Sequence, residues 1–176
     1  PSSKELGEGY GQSKEGKGKT AVVDLSSPNP AHPFHMGTVR STLLGESVCR
    51  AFESQGWTVR RVCYLNDIGK QAATLAYGYR KHAEGKKPEG KPDVWLGKIY
   101  FKTAQEVDEQ EVFKIMKDYE QGEKAAKELI TKVVELCLEG FKITWKEMGV
   151  NFDVILPESK FIAESKRLVA ELKEKG

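Results

Sequence analysis

Residues 24–41 read DLSSPNPAHPFHMGTVRS, a stretch holding two histidines, an asparagine, a carboxylate and several hydroxyls. Asn29 lies between Pro28 and Pro30, which restrict the backbone on both sides of it. His35 ends the loop, Gly37 falls in the first turn of an apolar helix, and Thr38 follows His35 at a spacing that makes neighbours on a helix. Helix N-termini carry unpartnered N–H groups and the positive end of the dipole, so such a mouth suits an anion such as phosphate. Gly37 removes a side chain, which lets a flat or bulky ligand approach the backbone. Neither GxGxxG nor GxxxxGK[ST] is present, so this is no common dinucleotide fingerprint or Walker loop. From the residues alone, plainer roles stand beside these. His35 and Gly37 make a helix cap, Thr38 a hydroxyl bonded to backbone, Asn29 an Asx turn, and Asp24 and Ser26 ordinary strand-end and turn residues.

Those groups need elements to hold them. TAVVDLS (20–26) reads as a β-branched strand that the prolines stop. From Met36 the pattern is helical, with Val39, Leu43, Leu44, Val48 and Phe52 as its apolar side and Gly56 as its stop. TVRRVCYL (58–65) is a second strand, and strand, helix and strand form a β-α-β unit with a right-handed crossover. A helix is expected over Lys70–His82, then a turn-rich break at 83–92. DVWLGKIYFKTA fits helix or strand, and the acidic stretch after it reads as helix. A long helix over Glu123–Met148 carries Ile130, Val134, Cys137, Phe141 and Met148 on one stripe. FDVILPES (152–159) is a strand, and residues 160–174 form a closing amphipathic helix. Residues 1–19, rich in glycine and alternating charge, read as a flexible linker. The expected organisation is therefore a linker at 1–19, a β-α-β half at 20–82, a connective insertion at 83–122 and a closing unit at 123–176.

The chain has 176 residues and a net charge of +2, so no overall basic field advertises nucleic-acid binding. Cys49, Cys63 and Cys137 are widely spaced with no CxxC pair, which argues against a zinc site or a disulfide framework and for buried packing. Trp57, Trp95 and Trp145 read as core. No apolar run approaches the ~20 residues of a membrane span. The chain opens on Pro1 rather than Met, and the expectation is a piece of a longer protein.

The run SSPNPAHPFHMGTVRSTLLGES resembles the signature loop of class I aminoacyl-tRNA synthetases, where a HIGH tetrapeptide opens the first helix of a Rossmann-like domain. The fuller pattern is acid-x-SSPNPxxPFHxGxxRS, with YLNDIGKQ at 64–71, the lead-in YGQSKEGKGKTAVVD and the strand FDVILPES. It resembles the arginyl-tRNA synthetases in particular, over most of residues 10–176. The resemblance implies a Rossmann-like (HUP-type) parallel α/β fold, incomplete, with a mainly helical insertion. It implies an ATP site of Pro33, His35, Gly37 and Thr38, with His35 and Thr38 stabilising charge that develops at the α-phosphate. Thr38 departs from the motif's last His, and a hydroxyl donates a hydrogen bond without carrying charge. Asp24, Ser26 and Asn29 become arginine-binding, with Asp where Glu is common. His32, Asn66, Asp67, Gly69 and Gln71 border the site. Arg40, Lys70 and the basic run 80–87 read as solvated faces or as contacts to phosphate and RNA.

The implied substrates are ATP with Mg2+, L-arginine and tRNA(Arg), with no protein metal site and no membrane, in a cytoplasmic and monomeric setting. No KMSK loop occurs in the sequence. The expectation is therefore the first half of a catalytic domain with little or no aminoacylation of its own. Two other readings stand: another class I synthetase or HxGH nucleotidyltransferase, and a non-catalytic tRNA-binding relative.

Overall fold

The computed structural model describes residues 3–176. A short helix α1 (Ser3–Leu6) and a 3-10 turn precede β1 (Thr20–Ser26), α2 (Met36–Ser54), β2 (Thr58–Leu65) and α3 (Lys70–His82). Then come α4 (Pro92–Gln105), α5 (Glu109–Gln121), α6 (Lys124–Met148), β3 (Val154–Pro157), a second 3-10 turn and α7 (Ile162–Lys175). The three strands are all parallel in the order β1-β2-β3, with Thr20 opposite Thr58 and Val62 opposite Val154. The register slips between Asp24 and Ser26, where the loop begins. The expected Rossmann-like parallel α/β fold is what forms.

The two faces of the sheet are covered differently. One packs on α3, α4, α5 and α6 through Cys63, Leu65, Leu75, Leu96, Val112, Val133 and Phe141, the larger core. Leu25, Cys49 and Val150 form a smaller cluster beneath α2. Residues 83–122 thus hold a turn-rich stretch and two helices whose Trp95, Leu96, Val112 and Ile115 share the larger core. DVWLGKIYFKTA is helix, opened by Pro92 at its first turn.

The middle of the α2 apolar stripe does not face the sheet: Leu43 is 43%, Leu44 59% and Val48 47% exposed, while Val39 and Phe52 are half-buried. Thr42, Glu46 and Cys49 are buried instead. Gly45 lets the helix press on β1, since a Cβ there would lie 3.1 Å from the Leu25 Cα. Glu46 binds Arg61 of β2 at 2.7 Å, and Arg61 also binds Glu53 at 2.7 Å. These hydrogen bonds hold the Glu46 carboxyl below the usual range against the opposing effect of burial, and raise Arg61 further.

The flexible-linker expectation for 1–19 fails at 13–19; residues 1 and 2 lie outside the described residues. The Ser13 and Gly16 N–H groups donate to the Ser54 and Gln55 carbonyls at 2.8 Å each. Gly16 packs on the Trp57 ring, and Lys19 stands 5.1 Å above that ring. Farther along, β3 is shorter than expected because Pro157 cannot donate to a ladder and the chain turns into a 3-10 segment.

Candidate active-site loop

Residues 27–35 leave β1 at its carboxyl end, where parallel α/β sheets place ligands. At the mouth of α2, His35 is the N-cap, and its Nδ1 accepts from the Gly37 N–H at 3.1 Å. That assignment puts the ring proton on Nε2, which stands 3.5 Å from the Thr38 Oγ1. A Cβ at Gly37 would lie 3.0 Å from the imidazole, so the glycine makes room for the histidine itself. His35 and Gly37 are exposed, and Gly37 ends a shallow apolar groove with Val39, Leu43 and Leu44.

Asn29 uses both ends of its side chain. Its Oδ1 accepts from the Ala31 N–H at 2.9 Å, an Asx turn, while its amide donates to Gln71 Oε1 at the start of α3. The first loop and the NDIGKQ segment are thereby joined. Asp24 is exposed and turned onto its own loop, accepting from the Ser26 N–H at 3.3 Å and the Ser27 hydroxyl at 3.0 Å. The Ser26 hydroxyl is buried and meets no protein partner.

The inner side of the loop is gripped by helices from far along the chain. The Pro30 carbonyl accepts from the Cys137 thiol, and the Phe34 N–H donates to Asp93 Oδ2 at 2.9 Å. The Phe34 ring meets Phe141 at 5.4 Å, and Pro33 packs on Gly97, where a Cβ would lie 2.8 Å from the proline ring. His32 is exposed, its ring edge-on to Tyr100 at 5.2 Å. Asp93, Gly97, Cys137 and Gly140 form this grip; of these the sequence marked only Cys137, as a buried packing residue.

The second segment is a structural junction. Asp67 accepts from the Ser159 N–H at 2.8 Å and the Ser159 hydroxyl at 2.6 Å, tying the ends of β2 and β3. Asn66 is exposed, with its amide nitrogen, assigned by its neighbours, facing the Ile68 carbonyl and the Glu158 carboxylate. Gly69 has φ +90 at the cap of α3, a conformation that favours glycine. A cavity of about 320 Å³ opens here among Tyr64, Ile68, Tyr119, Glu158 and Phe161, and none of His35, Gly37, Thr38 or Asn29 lines it.

Lys70 pairs with Glu109 at 2.8 Å and Arg80 with Glu111 at 2.9 Å, while Arg40 is exposed. Burial pushes the Cys63 thiol up to about 12 and Cys137 further, so both stay protonated packing groups. No helix among the described residues is long and apolar enough to cross a membrane.

Sequence and structure comparisons agree on the kinship. A family model described as tRNA synthetases class I (R), catalytic domain, matches residues 4–176. "Arginine--tRNA ligase" of Clostridium acetobutylicum is 36% identical over 172 residues, covering 95% of this chain and 31% of that protein. "Probable arginine--tRNA ligase, cytoplasmic" of Schizosaccharomyces pombe is 43% identical over 116 residues, covering 66% of this chain and 19% of that protein. The chain thus spans less than a third of the length of these relatives. The arginyl-tRNA synthetase of Plasmodium falciparum shares the fold, with a TM-score of 0.71 and 23% identity over 92% of this chain and 27% of that one. With the HIGH-type loop at the end of β1 and a match over 4–176, the chain belongs to the family of class I (R) tRNA synthetase catalytic domains.

Proposed function

We propose that this chain is the first half of the catalytic domain of an arginine--tRNA ligase. The full-length protein activates L-arginine with ATP and transfers it to tRNA(Arg), releasing AMP and pyrophosphate. The observation that carries the reading is the mouth of α2, where His35, Gly37 and Thr38 gather on an exposed helix N-terminus at the end of a parallel strand.

In this reading the arginine carboxylate attacks the ATP α-phosphorus, and negative charge grows on the phosphoryl oxygens. His35 Nε2–H and the Thr38 hydroxyl donate toward that charge, with the α2 dipole adding to them. Adenine lies against Gly37 and Pro33, and Mg2+ arrives with the phosphates as part of the substrate. Asn29 holds the amino acid, oriented by its Asx turn and by Gln71. Asp24 and Ser26 take the positive groups of arginine once Asp24 leaves its own loop. His32, Asn66, Asp67 and Gly69 border the site, Asp67 by fixing β2 against β3. The protein works in the cytoplasm, and the 176-residue segment by itself is a monomer without aminoacylation activity.

The test is aminoacylation of tRNA(Arg) with ATP and arginine. The full-length protein is expected to charge the tRNA, with His35→Ala strongly impaired. Charging by the 176-residue segment alone, or full activity in His35→Ala, contradicts the reading. Thr38 in place of the motif's last His favours a second reading, a tRNA-binding relative without chemistry. It predicts tRNA binding by the full-length protein with no arginine-dependent turnover of ATP.

A further inference from the structure

The residue that fixes the loop lies outside it. Asp93, in the first turn of α4, is 0% exposed. Its Oδ2 accepts from the Phe34 N–H at 2.9 Å and from Lys91 Nζ at 2.8 Å. Its Oδ1 receives no protein donor and presses against α6, where a Cβ on Gly140 would stand 2.3 Å away. A buried carboxylate is costly unless a charge and hydrogen bonds compensate it; Lys91 supplies the charge and Phe34 the backbone bond. An acid that served only the α4 dipole would gain as much at the surface. This one is instead buried and spans 59 positions to the residue before His35.

The neighbouring contacts share the same geometry. Gly97, one turn along α4, admits the Pro33 ring, and Gly140 admits the carboxylate. Phe34 sits on Phe141 and Trp145 of α6 at 5.4 and 6.2 Å. The peptide leading into His35 is therefore held on one side by packing and on the other by one charge-assisted hydrogen bond.

We propose that Asp93 is the positioning residue of the loop: charge-balanced by Lys91 and backed by Gly140, it holds the Phe34 amide and so sets where the His35 imidazole stands at the mouth of α2. The effect on rate rests on the function proposed above; the effect on His35 position does not.

Two arms test it. In the 176-residue chain, NMR follows the Phe34 amide and the His35 ring in Asp93→Asn, Asp93→Ala and the core variant Val133→Ala, which leaves the Phe34–Asp93 bond in place. The Phe34 amide proton is expected to move upfield and the His35 signals to shift in both Asp93 variants. The shift is smaller in Asp93→Asn, which keeps an acceptor oxygen, and absent in Val133→Ala despite its lower melting temperature. In the full-length protein with tRNA(Arg) present, Asp93→Ala is expected to lower kcat for arginine-dependent ATP–pyrophosphate exchange by roughly 100-fold, the scale of a 1 Å misplacement. KM for ATP changes little, and Asp93→Asn is affected less.

Unmoved His35 signals in Asp93→Asn overturn the proposal. So does a kcat loss in Asp93→Ala no larger than that in Val133→Ala. A wild-type full-length protein with no arginine-dependent exchange in the presence of tRNA(Arg) contradicts the proposed function instead, and the NMR arm then decides the positioning by itself.

Discussion

Helices α2 and α6 carry similar apolar stripes in sequence and use them in opposite ways. Ile130, Val134, Cys137 and Phe141 of α6 are all buried in the larger core, whereas Leu43, Leu44 and Val48 of α2 face outward. The difference lies in what each helix must approach. Helix α6 meets α3, α4 and α5 through side chains, so its apolar face wins by burial. Helix α2 meets β1 through Gly45 and β2 through the Glu46–Arg61 pair, so its contact face is small and charged. A periodic apolar stripe therefore shows that a helix forms, but it does not say which side of the helix this chain buries.

That contrast can be broken in order of expected size. Phe141→Ala should cost about 3–5 kcal/mol, the range for a fully buried aromatic, read by urea unfolding. Arg61→Ala should cost about 1–3 kcal/mol, because it leaves the buried Glu46 carboxylate with only the exposed Arg50, at 2.8 Å, as its charge partner. A loss below ~0.5 kcal/mol would mean that the pair does not hold α2 to the sheet. Acid provides a third probe. Because Arg61 holds Glu46 below its ordinary range, the pair's stabilisation is complete above the unfolded glutamate pKa of about 4.3. It is lost as pH falls through the lower folded value. Unfolding followed from pH 6 down to pH 2 should show that loss in the wild type and a flatter curve in Glu46→Gln. The smallest effect belongs to Leu44→Ser, within about 0.5 kcal/mol as for other exposed sites. A loss comparable to that of Phe141→Ala would put the α2 stripe in a core and erase the contrast.

Much of the frame was legible locally. Thr20–Ser26 and Thr58–Leu65 carry β-branched residues bounded by proline and glycine, and Lys70–His82 and the long α6 declare themselves by period. DVWLGKIYFKTA was ambiguous because Val94, Trp95, Ile99, Tyr100 and Phe101 favour strands while Pro92 opens a helix. The pairing of His35 with Thr38 followed from spacing, and the structure sets them 3.5 Å apart. The inner grip did not follow. The bonds from Phe34 to Asp93 and from Cys137 to Pro30 join residues 59 and 107 positions apart, and no periodicity encodes such contacts. Small residues offered the one trace, since Gly97 and Gly140 interrupt helices where a neighbour must come close. Residues 13–19 misled for a similar reason: Gly16 serves packing on Trp57 and bonds the end of α2.

The proposed role of the α2 mouth is half of an arginyl-adenylate site. Isothermal titration of the full-length protein with a non-hydrolysable arginyl-adenylate analogue, beside His35→Ala, tests it most directly. The wild type is expected to bind, with affinity at least tenfold weaker in the variant, about 1.4 kcal/mol. Equal affinity in the two proteins, or no binding by the wild type, would contradict it.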